Sequence, residues 1–184
     1  MGDGEDSLTV REYNLKIVVF GNSGSGKSTL ALNMARRHNL AHLDLDTIAW
    51  LPSSVPERRP HEQSREHVEQ FTHHNKYWVI EGCYSDLIEL VIEKASEVIF
   101  LNLPVSMCID NARERPWEPH KYASKKAQDA NLDMLIDWIK QYEVRDDTFS
   151  QSAHQRLFDA FTGAKKEYTS NVPHAELANI VSPS

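Results

Sequence analysis

A glycine-rich octapeptide stands near the start of the chain. Residues 21–28 read Gly-Asn-Ser-Gly-Ser-Gly-Lys-Ser, which matches the phosphate-loop pattern Gly-x-x-x-x-Gly-Lys-Ser, the Walker A motif. Glycines let successive backbone N–H groups turn towards phosphate oxygens, and a helix that begins near Lys27 adds the positive end of its dipole. Lys27 is expected to reach the β- and γ-phosphates, and the Ser28 hydroxyl is expected to ligate Mg²⁺. The predicted nucleotide-binding residues of this segment are Gly21, Asn22, Ser23, Gly24, Ser25, Gly26, Lys27, Ser28 and Thr29.

Acidic side chains follow two apolar runs further along the chain. Asp44 and Asp46 stand two residues apart, so we expect both to project from the same side at the end of a strand. One aspartate can meet magnesium through water while the other holds an acceptor hydroxyl. Glu81 follows another apolar run, where a Walker B carboxylate would lie, and Gly82 leaves room for a ligand. The pattern predicts metal ligation by Ser28, Asp44 and Glu81, although solvated acids at strand ends are the alternative.

Arginines supply candidate cationic groups for phosphate chemistry. Arg113 and Arg115 lie at a predicted helix end before Pro116, from which they can swing over phosphates when a lid closes. Arg58 lies in a proline-rich loop and could bind an anionic acceptor. Arg145 follows a long helix and is a candidate nucleotide contact. For each of these arginines a solvated surface charge is the alternative interpretation.

Apolar runs alternate with helical spacing along the chain. Strands are predicted over residues 16–20, 40–45, 77–80, 98–101 and 167–172. Helices are predicted after the phosphate loop, over 62–74, near 87–91, over 105–115, along 132–142, over 152–161 and from about 174. This alternation predicts a three-layer α/β/α arrangement with a five-stranded parallel sheet. The break at 116–119 between two helices predicts a helical lid over about 115–127.

Composition and charge exclude several classes. The 184 residues carry 27 acidic and 20 basic side chains, a formal net charge of −7. An acidic chain argues against a protein that coats duplex DNA, so no direct nucleic-acid binding is expected. No apolar run approaches the roughly 20 residues that span a bilayer. Two cysteines form no disulfide framework and no targeting signal is evident, so a cytoplasmic location is expected. A monomer is the default expectation for a chain of this size and class.

The segments after the strands distinguish between classes of phosphate-loop protein. A GTPase would carry a guanine-reading Asn-Lys-x-Asp segment after a later strand, whereas Asn102-Leu103-Pro104 follows the strand that ends at Leu101. A mechanical ATPase usually needs more sequence to couple hydrolysis to motion. A small kinase is therefore the favoured class.

Together, these motifs resemble the P-loop small-molecule kinases of the adenylate kinase and shikimate kinase type. The similarity is greatest to the adenylate kinase-related proteins often labelled DNA topology modulation proteins. It rests on residues 21–28, 43–46, 50–52, 78–82 and 113–115. The resemblance implies that Asp44 serves magnesium, that Asp46 serves the substrate hydroxyl and that Arg115 acts as a lid arginine. It also places Trp50 in the substrate region.

Two departures from the family pattern affect what the resemblance implies. Glu81 stands where aspartate is usual in adenylate kinases, which keeps the charge and moves it by a methylene. Cys83-Tyr84-Ser85 follows Gly82, where shikimate kinases carry substrate-binding arginines and glycines. Shikimate is therefore not the expected acceptor.

The combined prediction is an ATP- and Mg²⁺-dependent phosphotransferase. Residues 1–12 are expected to form a flexible acidic tail, and 13–184 a single P-loop NTPase domain of the kinase type. Lys27, Asp46, Arg113 and Arg115 are the predicted catalytic residues, and Asp46, Trp50, Arg58 and Gly82 the predicted substrate-binding ones. The alternative is a regulatory P-loop ATPase that has no small-molecule acceptor.

Overall fold

The computed structural model describes residues 14–52, 55–119 and 122–173. The predicted tail at 1–12 and the predicted helix from about 174 lie outside the described residues. Strands are β1 (Lys16–Gly21), β2 (Ala41–Asp44), β3 (Trp78–Gly82), β4 (Glu97–Leu101) and β5 (Ala164–Tyr168). Helices are α1 (Lys27–His38), α2 (Asp46–Ala49), α3 (His61–His74), α4 (Ser85–Ile88), α5 (Val105–Glu114), α6 (Lys125–Ala130), α7 (Leu132–Lys140) and α8 (Gln151–Ala160), with a 3₁₀ turn at Ile92–Lys94.

All five strands pair in parallel in one sheet, in the order β2-β3-β1-β4-β5. Because side chains alternate across a strand, each strand contributes to both faces. Val19 and Val79 lie on the face covered by α1, α5 and α7, while Phe20 and Ile80 lie on the face covered by α3, α4 and α8. The predicted five-stranded parallel sheet with helices on both faces is thereby confirmed.

The fifth strand begins earlier than its prediction over 167–172. Its sequence, Ala-Lys-Lys-Glu-Tyr, is mostly polar because it forms the edge of the sheet beyond β4. Lys165 donates to the carbonyl oxygens of Phe158 and Phe161 at 2.9 and 3.0 Å, where α8 ends. Lys166 pairs with Glu97 of β4 at 3.3 Å. A search for apolar runs therefore places the start of such a strand too late in the chain.

The paired aspartates also differ from their prediction. β2 ends at Asp44, and Asp46 is the first residue of α2, so the two side chains do not share one side of a strand. The Asp44 carboxylate accepts the backbone N–H of Asp46 at 2.9 Å, and Thr47 donates its hydroxyl to the Asp44 carbonyl at 2.7 Å. These local bonds turn the chain immediately after the strand.

Candidate active site

The loop between β1 and α1 has a backbone that favours glycine. Gly24 and Gly26 have φ angles of 76° and 91°, a region that other residues rarely adopt. A Cβ on Gly24 would lie 2.3 Å from the carbonyl oxygen of Cys108, whereas a Cβ on Gly26 would meet open space. Asn111 also donates to the Gly24 carbonyl at 2.9 Å. Backbone geometry and packing against α5 therefore hold the loop in one shape.

Polar groups at this loop are arranged to bind an anion. α1 begins at Lys27, and no side chain of a described residue caps its N-terminus. Ser25 is 4% exposed, and its hydroxyl makes no hydrogen bond to any part of the chain that the structure describes. Lys27 Nζ donates to the Asn22 carbonyl at 2.7 Å, a bond that a phosphate oxygen can replace. Because an unpaired buried hydroxyl is unfavourable, the loop fits a bound phosphate.

A cavity of about 490 Å³ opens beside the loop. Predicted site residues that line it are Ser23, Gly24, Ser25, Gly26, Lys27, Ser28, Thr29, Asp46 and Arg115. Its wall continues past the loop to Asn111, Ala112, Asn171 and Val172. Other predicted residues do not line this cavity as the described residues form it: Gly21, Asn22, Asp44, Trp50, Arg58, Glu81, Gly82, Arg113 and Arg145. The fold thus brings the phosphate loop, one aspartate and one arginine together.

Glu81 lies inside β3, paired in register with Val19 of β1 and Asp44 of β2. It is 1% exposed, and its Oε1 atom accepts no hydrogen bond from any described residue. His42 Nε2 lies 3.7 Å from that oxygen. A buried carboxylate oxygen without a donor is costly unless a cation or water meets it. Magnesium is commonly held by one or two carboxylates with phosphates and waters, so this donor set fits Mg²⁺ that arrives with a nucleotide.

Arg115 and Glu118 form an ion pair on the cavity wall. Their side chains approach to 3.0 Å, and the Arg115 guanidinium also lies 5.6 Å from the centre of the Tyr122 ring. All three residues line the cavity. Arg113 instead points outwards, with its side chain 58% exposed and 3.5 Å from Asp110. Of the two predicted lid arginines, Arg115 is the one placed at the cavity.

The remaining predicted arginines are engaged elsewhere. Arg58 pairs with Asp86 at 2.9 Å, and its guanidinium lies 5.0 to 5.6 Å from the ring centres of Trp50, Tyr84 and Phe149. Arg145 lies 3.8 Å from the ring centre of Trp138 and pairs with Asp147 at 2.6 Å. In both cases the cation packs on aromatic rings and meets an acid, which is a stabilising arrangement without a ligand.

Close packing explains Gly82. A Cβ at this position would lie 2.9 Å from Leu45 Cβ and 3.2 Å from Tyr84 Cδ2. Protein side chains therefore fill the space that was predicted to admit a ligand. Cys83, the next residue, does line the cavity, and burial raises the pKa of its thiol to about 12. It is a neutral thiol at physiological pH.

Sequence reasoning missed several residues of this site, among them Asn111, Glu118 and Tyr84. Asn111 donates to the Gly24 carbonyl, 87 positions away, so no local signal marks it. Glu118 pairs with Arg115, and its place three residues after that arginine was the signal that could have found it. Tyr84 donates its hydroxyl to Asp46 at 2.5 Å. Residues 83–85 depart from the family pattern, which was a signal for Tyr84. The role of Tyr84 becomes clear only from its contact with Asp46 in the structure.

Replacing Glu118 with glutamine is expected to tighten Mg²⁺-nucleotide binding about 3- to 10-fold, because Glu118 competes with phosphate for Arg115. Calorimetric titration with a non-hydrolysable ATP analogue measures the effect. Glu62→Gln, which disrupts the exposed pair with Arg65, is the matched control and should leave the affinity unchanged. An unchanged or weaker affinity in Glu118→Gln would contradict the competition.

No family model matches the sequence. A curated relative, the uncharacterised protein YqaC of Bacillus subtilis (strain 168), is 28% identical over 136 residues, which cover 69% of this chain and 72% of the relative.

Solved structures include a gluconokinase from Sinorhizobium meliloti 1021 with a TM-score of 0.54 at 15% identity, covering 91% of this chain and 89% of that one. A sugar kinase from Janibacter sp. HTCC2649 has a TM-score of 0.49 at 13% identity, covering 91% of each chain. A shikimate kinase from Bacteroides thetaiotaomicron has a TM-score of 0.44 at 18% identity, covering 79% of this chain and 97% of that one.

The likeness to the gluconokinase establishes the fold. The chain has the three-layer α/β/α fold of the P-loop kinases, as its motifs predicted. The closer resemblance to adenylate kinase-related proteins stays a prediction. Among the described residues, no helix is both long and apolar enough to cross a bilayer.

Proposed function

We propose that this protein is a Mg²⁺-dependent phosphotransferase that moves the γ-phosphoryl group of ATP to a small-molecule acceptor. The observation that carries the proposal is a single cavity lined by the phosphate loop, by Asp46 and by Arg115. Phosphoryl transfer needs a phosphate cradle, a group that positions the attacking hydroxyl and a cation for the developing charge. Each of the three has one candidate at this cavity.

The roles follow from the positions of the groups. The loop N–H groups and Lys27 hold the β- and γ-phosphates, while Asp46 accepts the hydrogen bond of the acceptor hydroxyl. As the acceptor oxygen bonds to the γ-phosphorus, the bond from that phosphorus to the bridging oxygen breaks and ADP leaves. The hydroxyl proton passes to Asp46, and Arg115 stabilises the charge on the transferring group.

Ser28, Asp44 and Glu81 are the residues that would hold magnesium. When bound, the ion neutralises charge on the β- and γ-oxygens. Of the three, Ser28 lines the cavity, and Glu81 offers a buried Oε1 that accepts no hydrogen bond within the described chain. Asp44 stands beside it in register.

The acceptor would enter from the side of Asp46 and the loop that follows α2. Trp50 and Arg58 are retained as its predicted neighbours, whereas Leu45 and Tyr84 fill the space at Gly82. Arg58 can contact an anionic acceptor only after it exchanges its partner Asp86, and Gly82 contributes through its close packing on Tyr84. Arg113 and Arg145 would need a movement of the chain to reach a nucleotide.

A screen with [γ-³²P]ATP and Mg²⁺ tests the proposal. The acceptors to try are nucleoside monophosphates, sugars, sugar acids and other hydroxylated metabolites. Label on an added small molecule, lost in Lys27→Ala, is the expected result. Slow hydrolysis that no acceptor changes would contradict the proposal and favour a regulatory ATPase.

A further inference from the structure

The Tyr84 hydroxyl lies between two residues of the acceptor side. Trp50 Nε1–H donates to Tyr84 Oη at 2.7 Å, and Tyr84 Oη donates to Asp46 Oδ1 at 2.5 Å. An indole nitrogen can only donate a hydrogen bond, so Trp50 makes the Tyr84 oxygen its acceptor. The hydroxyl proton of Tyr84 is thereby directed to the Asp46 carboxylate. The chain of hydrogen bonds has one direction, from Trp50 through Tyr84 to Asp46.

Packing holds the Tyr84 ring in this place. The residue is 3% exposed, and its ring meets Phe149 edge-on with the centroids 5.3 Å apart. The Arg58 guanidinium lies 5.0 Å from the centre of the Tyr84 ring, and the missing Cβ of Gly82 admits the ring edge. Burial also raises the pKa of Tyr84 far above its ordinary value, so the hydroxyl remains a donor. Tyr84 cannot turn away from Asp46 without disturbing these contacts.

We infer that Tyr84 is a positioning residue which, together with Trp50, orients the Asp46 carboxylate towards the acceptor hydroxyl and so sets the rate of transfer. The inference rests on the proposed function, in which Asp46 receives that hydroxyl. Hydrogen bonds to a carboxylate are strong and directional. Asp44 holds the backbone N–H of Asp46 at the same time, so backbone and side chain are both constrained.

The first test is kinetic and uses Tyr84→Phe, which removes one oxygen atom. We expect kcat to fall about 10- to 100-fold, since a small misplacement of a reacting group has effects of that size. KM for ATP should stay within about twofold, because the variant leaves the phosphate loop intact. The acceptor is the one identified by the screen, or water where only ATP hydrolysis is measured.

Tyr142→Phe is the matched control. Tyr142 is 1% exposed, and its hydroxyl is hydrogen-bonded to His154 Nδ1 at 2.8 Å, away from the cavity lining. Tyr84→Phe loses the two hydrogen bonds of its hydroxyl and Tyr142→Phe loses one, so both variants should unfold at a lower denaturant concentration than the wild type. Only Tyr84→Phe should lower kcat. An unchanged kcat in Tyr84→Phe, with Lys27→Ala inactive, would overturn the positioning role.

A double-variant cycle separates positioning from packing. In the Asp46→Ala background, Tyr84→Phe should change kcat by less than about twofold, because no side-chain oxygen is left at position 46 for Tyr84 to orient. A packing defect would lower kcat by the same factor in both backgrounds. Equal factors would overturn the inference.

The second test needs no catalysis. The ¹H–¹⁵N resonance of the Trp50 indole, assigned with Trp50→Phe, should shift in Tyr84→Phe and in Asp46→Asn but not in Tyr142→Phe. Hydrogen bonds in a chain polarise one another, so a change at Asp46 reaches the indole. A Trp50 resonance that neither change moves would overturn this inference and leave the proposed function untouched. Turnover that survives Lys27→Ala would instead contradict the proposed function.

Discussion

Replacing Lys27 with alanine is expected to lower nucleotide-dependent turnover by about 1000-fold or more while the fold stays intact. Lys27 is the first residue of α1 and lines the cavity, and its Nζ atom donates to the Asn22 carbonyl. Removal of the ammonium takes away the cation that meets the β- and γ-phosphates. The fold should survive because the loop shape depends on glycine geometry and on Asn111.

Turnover of [γ-³²P]ATP and the circular dichroism of the purified variant measure the two parts of this expectation. Lys140→Ala is the control, because Lys140 is an exposed lysine that pairs with Asp137 at the end of α7. It should keep the activity of the wild type. Activity in Lys27→Ala within about threefold of wild type would show that the loop does not perform the chemistry.

Lowering the pH from 6.5 to 4 is expected to remove up to about 3 kcal/mol of unfolding free energy through His154. The side chain is fully buried, with Nε2 3.0 Å from the Cys83 carbonyl oxygen and Nδ1 2.8 Å from the Tyr142 hydroxyl. A carbonyl oxygen only accepts, so Nε2 carries the proton and Nδ1 accepts from Tyr142. The ring is satisfied as the neutral form.

The direction of this change in stability follows from the pKa of His154, which burial lowers from 6.5 to about 4. Within that window the unfolded chain takes up a proton that the folded chain does not, so stability falls as the pH falls. The loss is complete below about pH 4, and above pH 6.5 this residue adds no pH dependence.

Denaturant unfolding at several pH values, compared with His154→Gln, isolates this residue from other titrating groups. Glutamine can still accept from Tyr142 and donate to Cys83, but it does not titrate. The variant should therefore show a shallower decline between pH 6.5 and 4. His67→Gln, on the exposed side of α3, should keep the wild-type profile. Equal slopes in wild type and His154→Gln would contradict the expectation.

Local sequence was sufficient for the phosphate loop and for most of the sheet. These features depend only on neighbouring residues: a glycine at a positive φ, a helix that starts at Lys27 and a β-branched run. The edge strand β5 was predicted about three residues too late, because its two lysines contact α8 and β4 instead of a core. Asp46 was wrongly predicted to lie on a strand. The hydrogen bond from its backbone N–H to the Asp44 carboxylate turns the chain there, and no apolar pattern in the sequence marks such a bond.

The partners of the site residues depend on distant parts of the chain. Tyr84 and Asp46 are separated by 38 positions, and Asn111 lies 87 positions from Gly24. Residue types at 58, 113, 115 and 145 are all arginine, yet only Arg115 lines the cavity within the described residues. Charge and spacing along the chain cannot distinguish these four, because each pairs with an acid and what separates them is whether the fold places them at the cavity.

The amino-acid sequence thus specified a phosphate-binding loop, a parallel α/β sheet and a set of candidate acids, since dihedral preference and periodicity act between neighbours. The tertiary structure determined which of these candidate residues lie close together. It placed the Tyr84 hydroxyl against the Asp46 carboxylate, 38 positions away, and brought Asp46 and Arg115 to one cavity, because such approaches arise only when distant segments of the chain pack together.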